Sequence, residues 1–191
     1  MEELIEKIGA IHSTCLVDGH KILERILKTC TQMLQDRGCS EVEKTPNMLE
    51  SIENLQPVLK GRGVMSIDIY FSTEERVGVK YLRNIIESST VDKVIICSLD
   101  GPTTFTKKES ELSDVQFFLF KDLFVNITRH KIVPKHELCV EPIPYTTIEI
   151  PKISINDPIV QYYDFPLNSI IKIYRKFGSH EPTIYYRLIG P

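Results

Sequence analysis

Apolar residues recur every three to four positions between residues 20 and 36, which is the period of one face of an α-helix. The repeating positions are Ile22, Ile26, Leu27, Cys30, Met33 and Leu34. Gly38 follows soon after and suits the residue that ends many helices. The pattern predicts an amphipathic helix that packs on its own domain. A weaker repeat covers residues 47–59, and we expect the basic triplet after it, residues 60–62, to form a solvated loop.

A shorter period begins at Met65. Apolar and polar residues alternate from there to Phe71, as in a strand with one buried face. Residues 77–79 follow a charged turn and are expected to pair with this strand as a hairpin, and a helix is expected from Tyr81. Two apolar runs, residues 93–99 and 115–120, predict further strands, the first of them fully buried. Strands that alternate with helices predict an α/β layer with a sheet that is at least partly parallel.

The pattern changes again near residue 127. An apolar run from Leu123 to Ile127 gives way to a polar stretch and then to Pro134. Because proline fixes its own φ and pushes Val133 away from the helical region, the chain is expected to leave the first domain extended. We therefore place a domain boundary between residues 127 and 128.

Short strands dominate the pattern beyond this boundary. Asp157 and Pro158 predict the start of a helix, because aspartate caps free N–H groups and proline is tolerated in the first turn. Residues 147–150 predict a short strand, and residues 170–175 and 183–189 predict a β-hairpin. The second domain is therefore expected to be small and rich in strands.

Composition limits the classes of function. The 191 residues, 42% of them hydrophobic, suffice to bury one or two cores. A net charge of −3 gives no overall basic face of the kind that free-standing nucleic-acid-binding proteins carry. The five cysteines form no Cys-x-x-Cys pair and are odd in number, which favours a reducing compartment over a disulfide framework. Without a long apolar run, we expect neither a signal peptide nor a membrane span.

The junction carries the most distinctive motif. Residues 126–130 are Asn-Ile-Thr-Arg-His, and residues 133–136 are Val-Pro-Lys-His. This motif resembles the junction of the fifth-largest subunit shared by the eukaryotic nuclear RNA polymerases, a family with a small archaeal counterpart. Further matches follow in the family's order at residues 33–38, 77–80, 151–153, 157–158, 162–163, 170–173 and 186–188. The resemblance is collinear from about residue 33 to residue 189, and its C-terminal third is the most specific part.

The resemblance implies two domains with different roles. Residues 1–127 would form an α/β jaw domain, similar in fold to restriction endonucleases, in the lower jaw near downstream duplex DNA. Residues 128–191 would form a small mixed β-rich assembly domain that anchors the chain to the largest polymerase subunit. We therefore expect a non-catalytic subunit with no cofactor and no small-molecule substrate. Its expected location is the nucleus for a cellular polymerase, or a viral factory or virion for a virus that encodes its own polymerase.

Two other classes of function agree with parts of the sequence. Restriction-enzyme-like nucleases place an aspartate on one strand and Glu-x-Lys on the next, so that two carboxylates hold Mg²⁺ while the lysine assists the attacking water. Asp68 and Lys80 stand at suitable places, but the second carboxylate would fall at Gly78, so we expect this site to be inactive. The other alternative is a regulator that borrows the assembly domain to dock on a polymerase.

The loop after the buried strand supplies the candidate DNA contacts. In the family this loop carries a sequence similar to Thr-Pro-Ser-Ala and faces downstream DNA, and Pro102 is the outright match here. The resemblance implies that Pro102, Thr103, Thr104, Lys107 and Lys108 lie near DNA, with phosphate contacts made by the threonines and lysines. Such contacts position a duplex without reading its sequence. A polar helix start with Thr103 or Thr104 as its N-cap accounts for the same residues.

Candidate partner contacts lie in the second domain. Its tyrosines and arginines are residue types favoured at interface hot spots, although core packing also accounts for the tyrosines. The predicted contacts are His136, Asp157, Tyr162, Lys172, Arg175, Tyr186 and Arg187. A domain of roughly sixty residues buries little surface by itself, so docking on a larger partner would stabilise it.

The chain departs from the family pattern in the segment after His136. Relatives usually carry a charged helical segment there, whereas this chain is shorter and has prolines, so we expect the helix to be truncated or lost. Asn168 stands where relatives have glycine, a substitution that suits a position of positive φ. His130, His136 and Cys139 are residue types that bind zinc, but a structural site needs four ligands, so we expect no metal.

Overall fold

The chain divides into two compact units, residues 1–125 and residues 126–191. The structure is a computed structural model, and it describes residues 6–7, 19–110, 113–143, 149–176 and 181–191. Each unit is built on its own mixed sheet, which agrees with the predicted α/β class. The assignment of the first unit as a jaw domain and of the second as an assembly domain stays a prediction.

One five-stranded sheet organises the described part of the first unit. The strands are β1 (Cys39–Lys44), β2 (Leu59–Gly63), β3 (Ile67–Phe71), β4 (Lys93–Ser98) and β5 (Val115–Leu119), and they lie in this order. The first three strands pair antiparallel, and β3, β4 and β5 pair parallel. The predicted partly parallel sheet is confirmed.

Helices pack on both faces of this sheet. They are α1 (Gly19–Asp36), α2 (Met48–Glu53), α3 (Val79–Ser88), α4 (Thr104–Ser110) and α5 (Phe120–Leu123). Successive residues of β4 point to opposite faces. Ile96 belongs to the cluster formed with α3, whereas Cys97 lies against Cys30 of α1. The apolar stripe of α1 is buried as its period predicted, and Gly38 follows it with φ +91°.

The predicted hairpin at residues 77–79 is wrong. Val77 forms an isolated bridge with Pro102, and Gly78 is the residue from which α3 begins. Val77 is buried in one cluster with Tyr81 and Leu82. Since residues 77, 81, 82 and 85 share one helical face, the helical period prevails over the local Val-Gly-Val alternation.

The basic triplet at residues 60–62 is not a loop but the middle of β2. Lys60 pairs with Asp68, and Gly61 pairs with Ile67, across the β2–β3 ladder. Arg62 Nη1 lies 2.6 Å from Asp68 Oδ1, so its charge is compensated within the sheet. The three basic and glycine residues suggested a loop because the sequence alone does not show that Asp68 lies opposite them.

Two further elements differ from their predictions. The repeat over residues 47–59 yields only the six-residue helix α2, after which Leu55 adopts φ +52° and Leu59 begins β2. The edge strand β1 was not predicted, because most of its residues are polar and exposed. Tertiary pairing therefore decides the structure of residues 39–63.

A four-stranded sheet organises the described part of the second unit. Its elements are a 3-10 turn (Ile127–Arg129), β6 (Lys135–Leu138), β7 (Lys152–Ser154), α6 (Pro158–Tyr163), β8 (Ile170–Arg175) and β9 (Thr183–Gly190). The strand order is β6-β8-β9-β7. β8 and β9 form the predicted antiparallel hairpin, and β7 joins β9 in parallel. The small mixed β module is confirmed.

Two local predictions for this unit are also confirmed. The carboxylate of Asp157 accepts a hydrogen bond from the Ile159 N–H at 2.8 Å, and Pro158 occupies the first turn of α6. Asn168 has φ +63°, a conformation that suits glycine or asparagine.

The segment between β6 and β7 is only partly described. The first half of the expected strand at residues 147–150 lies outside the described residues, and Glu149 and Ile150 lie in a turn and a bend rather than a strand. The described residues 139–143 and 149–151 contain no helix, and the expected loss of the family's helical segment stays a prediction. In the part of the chain that the structure describes, no helix combines the length and apolar character needed to cross a membrane.

Substituting Gly63 tests the close approach of β1 and β2. A Cβ at Gly63 would meet Gly38 O and Ser40 N, which are backbone atoms. We expect Gly63→Ala to lower the free energy of unfolding by about 1–3 kcal/mol, measured by urea denaturation. Gly78→Ala is the matched control, since a Cβ there meets nothing nearer than Glu74 Oε2 at 3.7 Å. Equal losses in both variants would contradict the close approach.

Candidate functional site

Hydrogen bonds join the chain just before α3 to the loop that leads into α4. The Val77 N–H donates to Gly101 O at 2.9 Å, and Val77 O accepts from the Thr103 N–H at 3.1 Å. Val77 O also accepts from the Thr106 hydroxyl at 2.8 Å. The Thr103 and Thr106 hydroxyls are 2.8 Å apart. We call these four residues the Val77 cluster, and it holds the start of α4 beside the start of α3.

Thr103 is the N-cap of α4, as predicted. Its hydroxyl oxygen accepts a hydrogen bond from the Thr106 N–H at 3.3 Å. Thr106 itself is fully buried, with 0% exposure. It was missed among the candidate residues, because its hydroxyl donates to a carbonyl 29 residues away in sequence and no local pattern marks it.

The predicted DNA-proximal residues fall into two groups. Pro102 and Thr103 are half-buried, because the Val77 cluster holds them against the turn before α3. Thr104, Lys107 and Lys108 are exposed on α4. Phe105 lies among them and is 77% exposed. The structure therefore places three of the five candidates at the surface, and their role as DNA contacts stays a prediction.

The nuclease-like residues are not arranged as in a nuclease site. Asp68 is buried on β3, where Arg62 compensates its charge. Lys80 lies exposed on α3 rather than on a neighbouring strand, and Gly78 precedes that helix. Over the described ranges, no three histidine, cysteine, aspartate or glutamate side chains converge as metal ligands would.

The candidate zinc residues make other contacts. His130 is exposed, and its Nδ1 accepts a hydrogen bond from the Ile132 N–H at 3.3 Å. The Cys139 thiol donates to Glu141 O at 3.4 Å. His136 hydrogen-bonds the backbone of the preceding turn, as described below.

The β8–β9 hairpin has two faces with different surroundings. Ile171, Ile173 and Ile189 are buried in one cluster with Val160 of α6. The opposite side, which we call the open face, carries side chains that are only partly buried or exposed. Its central members are Lys172, Tyr174, Ile184 and Tyr186. Ile184 is 42% exposed. The structure thus brings together two of the predicted partner contacts, Lys172 and Tyr186, which lie directly opposite each other.

Compensated charges border the open face. Lys172 Nζ lies 2.6 Å from Glu141 Oε2, and Lys135 forms an ion pair with Glu137. The hydrogen bond to Glu141 raises the pKa of Lys172, and the hydrogen bond to Glu137 raises the pKa of Tyr174. The face therefore presents aromatic and aliphatic side chains whose charged neighbours are already paired.

Two predicted partner contacts serve the unit's own structure. Tyr162 is buried, and its hydroxyl oxygen accepts a hydrogen bond from Asn126 Nδ2 at 3.0 Å. Asp157 caps α6. The Tyr162 hydrogen bond joins α6 to the junction motif. Substituting Tyr162 would therefore destabilise the unit itself, whether or not a partner binds there.

The two arginines of the hairpin make contacts within it. The Arg175 guanidinium lies 5.2 Å from the centre of the Tyr185 ring, and Arg187 Nη1 donates to Tyr186 O at 3.0 Å. Arg175 is exposed at the end of β8, whereas Arg187 is partly buried. A partner can reach Arg175 more easily.

His136 lies on the edge strand β6 opposite Ile173. It is partly buried, and its Nδ1–H donates to Pro134 O at 2.7 Å in the tautomer that places the proton there. Burial lowers the pKa of His136 below its usual value. The neutral imidazole is therefore the form that suits the folded unit.

The Thr106 hydroxyl is the natural target for testing the Val77 cluster. Thr106→Val removes the hydroxyl at nearly constant volume and leaves the Thr103 hydroxyl without its neighbour. We expect a loss of about 0.5–1.5 kcal/mol in the free energy of unfolding, measured by urea denaturation. Thr106→Ser keeps the hydroxyl and is the control, so we expect a smaller loss. A Val variant as stable as the Ser variant would contradict the role of the hydroxyl.

The pKa shift of His136 predicts a pH dependence of stability. Because the folded-state pKa is lowered from 6.5, the unfolded chain binds the proton more readily. The contribution is fully present above the unfolded pKa and is lost as the pH falls through the folded one, so stability decreases as the pH falls below about 6.5. His136→Asn keeps an N–H donor but does not titrate, and we expect a flatter dependence in urea denaturation at several pH values. Parallel curves for both proteins would contradict this assignment.

A family model matches the second unit. It is described as RNA polymerase Rpb5, C-terminal domain, and it covers residues 143–189. This range contains α6, β8, the four central residues of the open face and all of β9 except Gly190.

Relatives match both units. A Dictyostelium discoideum protein named DNA-directed RNA polymerases I, II, and III subunit rpabc1 is 30% identical over 194 residues, with 90% of this chain and 98% of the relative covered. The Arabidopsis thaliana DNA-directed RNA polymerases IV and V subunit 5B is 28% identical, with 96% of each chain covered. The Caenorhabditis briggsae DNA-directed RNA polymerases I, II, and III subunit RPABC1 is 23% identical, with 87% of this chain and 95% of the relative covered. The resemblance found at the junction is confirmed, and the chain belongs to the Rpb5, or RPABC1, family of DNA-directed RNA polymerase subunits.

Proposed function

We propose that this chain is a non-catalytic subunit of a multisubunit DNA-dependent RNA polymerase and acts in transcription. The proposal rests on the similarity to the Dictyostelium discoideum polymerase subunit, because the match extends over 98% of that relative's length. A regulator that borrowed only the docking domain would share the second unit alone. The match across both units therefore favours a subunit.

The second unit anchors the chain to the largest polymerase subunit in this proposal. Its open face supports this role, because the aromatic residues Tyr174 and Tyr186 flank the exposed Ile184. Aromatic and aliphatic side chains with paired charges at the rim are typical of the central part of protein interfaces. Because the charges at its rim are already paired, covering this face with a partner carries a small desolvation cost.

The first unit forms part of the lower jaw near downstream DNA. The exposed Thr104, Lys107 and Lys108 support this role, since hydroxyls and lysines bind phosphates without sequence preference. The restriction-endonuclease-like fold belongs to this part of the proposal. The expected DNA interaction is with the duplex backbone.

The partners proposed are therefore the polymerase subunits and the duplex, with no cofactor and no small-molecule substrate. The nucleus is the proposed location in a cell, since relatives are subunits of polymerases from eukaryotic organisms. A viral factory or virion is the alternative location for a polymerase that a virus encodes.

A metal-dependent nuclease is not supported as the alternative. Asp68 is already paired with Arg62, Lys80 is on a helix, and Gly78 offers no carboxylate. This geometry provides no site for two carboxylates and a lysine.

Co-purification of the full-length chain tests the proposal. A tagged chain expressed in its native cell or infected host should recover the two largest polymerase subunits in equal amounts. We expect Ile184→Glu to reduce that recovery at least tenfold, because the substitution puts a charge at the centre of the open face.

Thr183→Glu is the matched control, since Thr183 is the exposed neighbour of Ile184 on β9 but belongs to the other side of the strand. It adds the same charge and should leave recovery unchanged. Recovery that is substoichiometric and exchangeable would support a regulator instead. Equal recovery with both variants would contradict the open face as the anchor.

A further inference from the structure

Two cysteines meet between α1 and the sheet of the first unit. Cys30 belongs to the buried stripe of α1, and Cys97 lies on the interior strand β4. Their side chains form a hydrogen bond with each other, and both residues have 0% exposure. Both are free thiols. Tertiary packing therefore brings together two thiols that are far apart in sequence.

The surroundings of this pair are apolar. Cys97 lies beside Phe71 of β3 and Phe118 of β5 in the parallel ladders, and both phenylalanines are buried. Burial raises the pKa of the Cys97 thiol, so the protonated form prevails while the unit is closed. Because the thiolate is the reactive form of cysteine, the closed unit protects this thiol from oxidation.

The other described cysteines have different neighbours. Cys39 is buried, and its thiol donates to Met65 O at 3.8 Å. Cys139 is half-buried, and its thiol donates to Glu141 O at 3.4 Å. Within the described ranges, Cys30 and Cys97 are therefore the cysteines whose thiols contact each other.

We infer that Cys30 and Cys97 form a reversible disulfide that links α1 to β4 when the protein meets hydrogen peroxide. The cross-link stabilises the first unit, because it removes conformations from the unfolded chain. A neighbouring thiol also ends the oxidation at the disulfide, whereas a solitary thiol can proceed to sulfinic and sulfonic acids, which are largely irreversible. This role is separate from the proposed polymerase function and belongs to the chain itself.

The reaction begins with a transient opening between α1 and β4, because neither thiol is accessible in the closed unit. One thiolate attacks an oxygen of hydrogen peroxide, the O–O bond breaks, and the released hydroxide takes up a proton to become water. The second thiol attacks the sulfur of the resulting sulfenic acid, the S–O bond breaks, and another water leaves as the S–S bond forms. The pair of thiols loses two electrons and two protons in total, and the peroxide is reduced to water.

Peptide mapping of the oxidised full-length chain provides the test. Trypsin releases residues 29–37 and residues 94–107 as peptides with one cysteine each, Cys30 and Cys97. The folded chain is exposed briefly to hydrogen peroxide, and its remaining thiols are alkylated. Mass spectrometry without reduction should then detect the two peptides joined by a disulfide, and dithiothreitol should release them again.

We also expect the disulfide to raise the urea midpoint of unfolding by about 1–2 M, because the cross-link closes a long loop. Cys30→Ser and Cys97→Ser should each abolish this increase. Cys39→Ser is the matched control, since it also removes a buried thiol but leaves the pair intact. Its peptide link and its midpoint increase should remain. The peptide map of the unaltered chain needs no variant, so it decides the question even if a serine variant does not fold.

Several outcomes would contradict the inference. One is oxidation of Cys139 alone, with residues 29–37 and 94–107 recovered as unlinked peptides. Another is a link that forms only above the urea midpoint, which would make it a property of the unfolded chain. A link between two copies of the chain would equally exclude an internal disulfide, and an unchanged midpoint in the linked chain would exclude the stabilising role. None of these results would affect the proposed function, which co-purification decides.

Discussion

The carbonyl oxygen of Val77 accepts two hydrogen bonds, and the candidate surface of the first unit depends on that double role. One donor is the backbone N–H that starts α4, and the other is the hydroxyl of Thr106. Because these groups are shielded from water, the bonds are stronger than they would be at the surface, and an unmade bond would be costly. The starts of two helices are therefore fixed relative to each other before any ligand arrives. Preorganisation of this kind reduces the ordering cost of binding.

In the second unit, the register of the β8–β9 pair determines which side chains form the candidate surface. The pairing of Lys172 with Tyr186 and of Tyr174 with Ile184 decides which residues share the open face. A slip of one residue would exchange that face with the isoleucine cluster. Asn168 has a positive φ and lies in the connection just before β8, which sets the residue at which β8 begins. Because asparagine tolerates this conformation, it helps to keep the register that puts these four residues on the open face.

The sequence predicted well wherever a single period ran for several turns or residues. The stripe of α1, the buried run of β4 and the β8–β9 hairpin were all recognisable for that reason. The sequence-based predictions were wrong where a residue's structure depends on a contact with a residue distant in sequence. Arg62 suggested a loop because its partner Asp68 lies on the next strand. Val77 suggested a strand because the backbone groups that bind it, those of Gly101 and Thr103, lie more than twenty residues away in sequence. The candidate site shows the same limit. Thr103 was identifiable as a cap, but the role of the buried Thr106 hydroxyl follows from a tertiary contact between residues 29 positions apart in sequence.

The strand order of the second sheet bears on how the chain is made. β9 follows β6, β7 and β8 in sequence, yet it lies in the interior of the sheet, between β8 and β7. Until residues 183–190 have left the ribosome, β7 has no ladder and β8 has a neighbour on one side only. A chain interrupted before that point exposes unpaired strand edges, which favour aggregation and recognition by chaperones and proteases. The surface of the β8–β9 hairpin can therefore form only after β9 has been synthesised, although the other three strands of the sheet precede it along the chain.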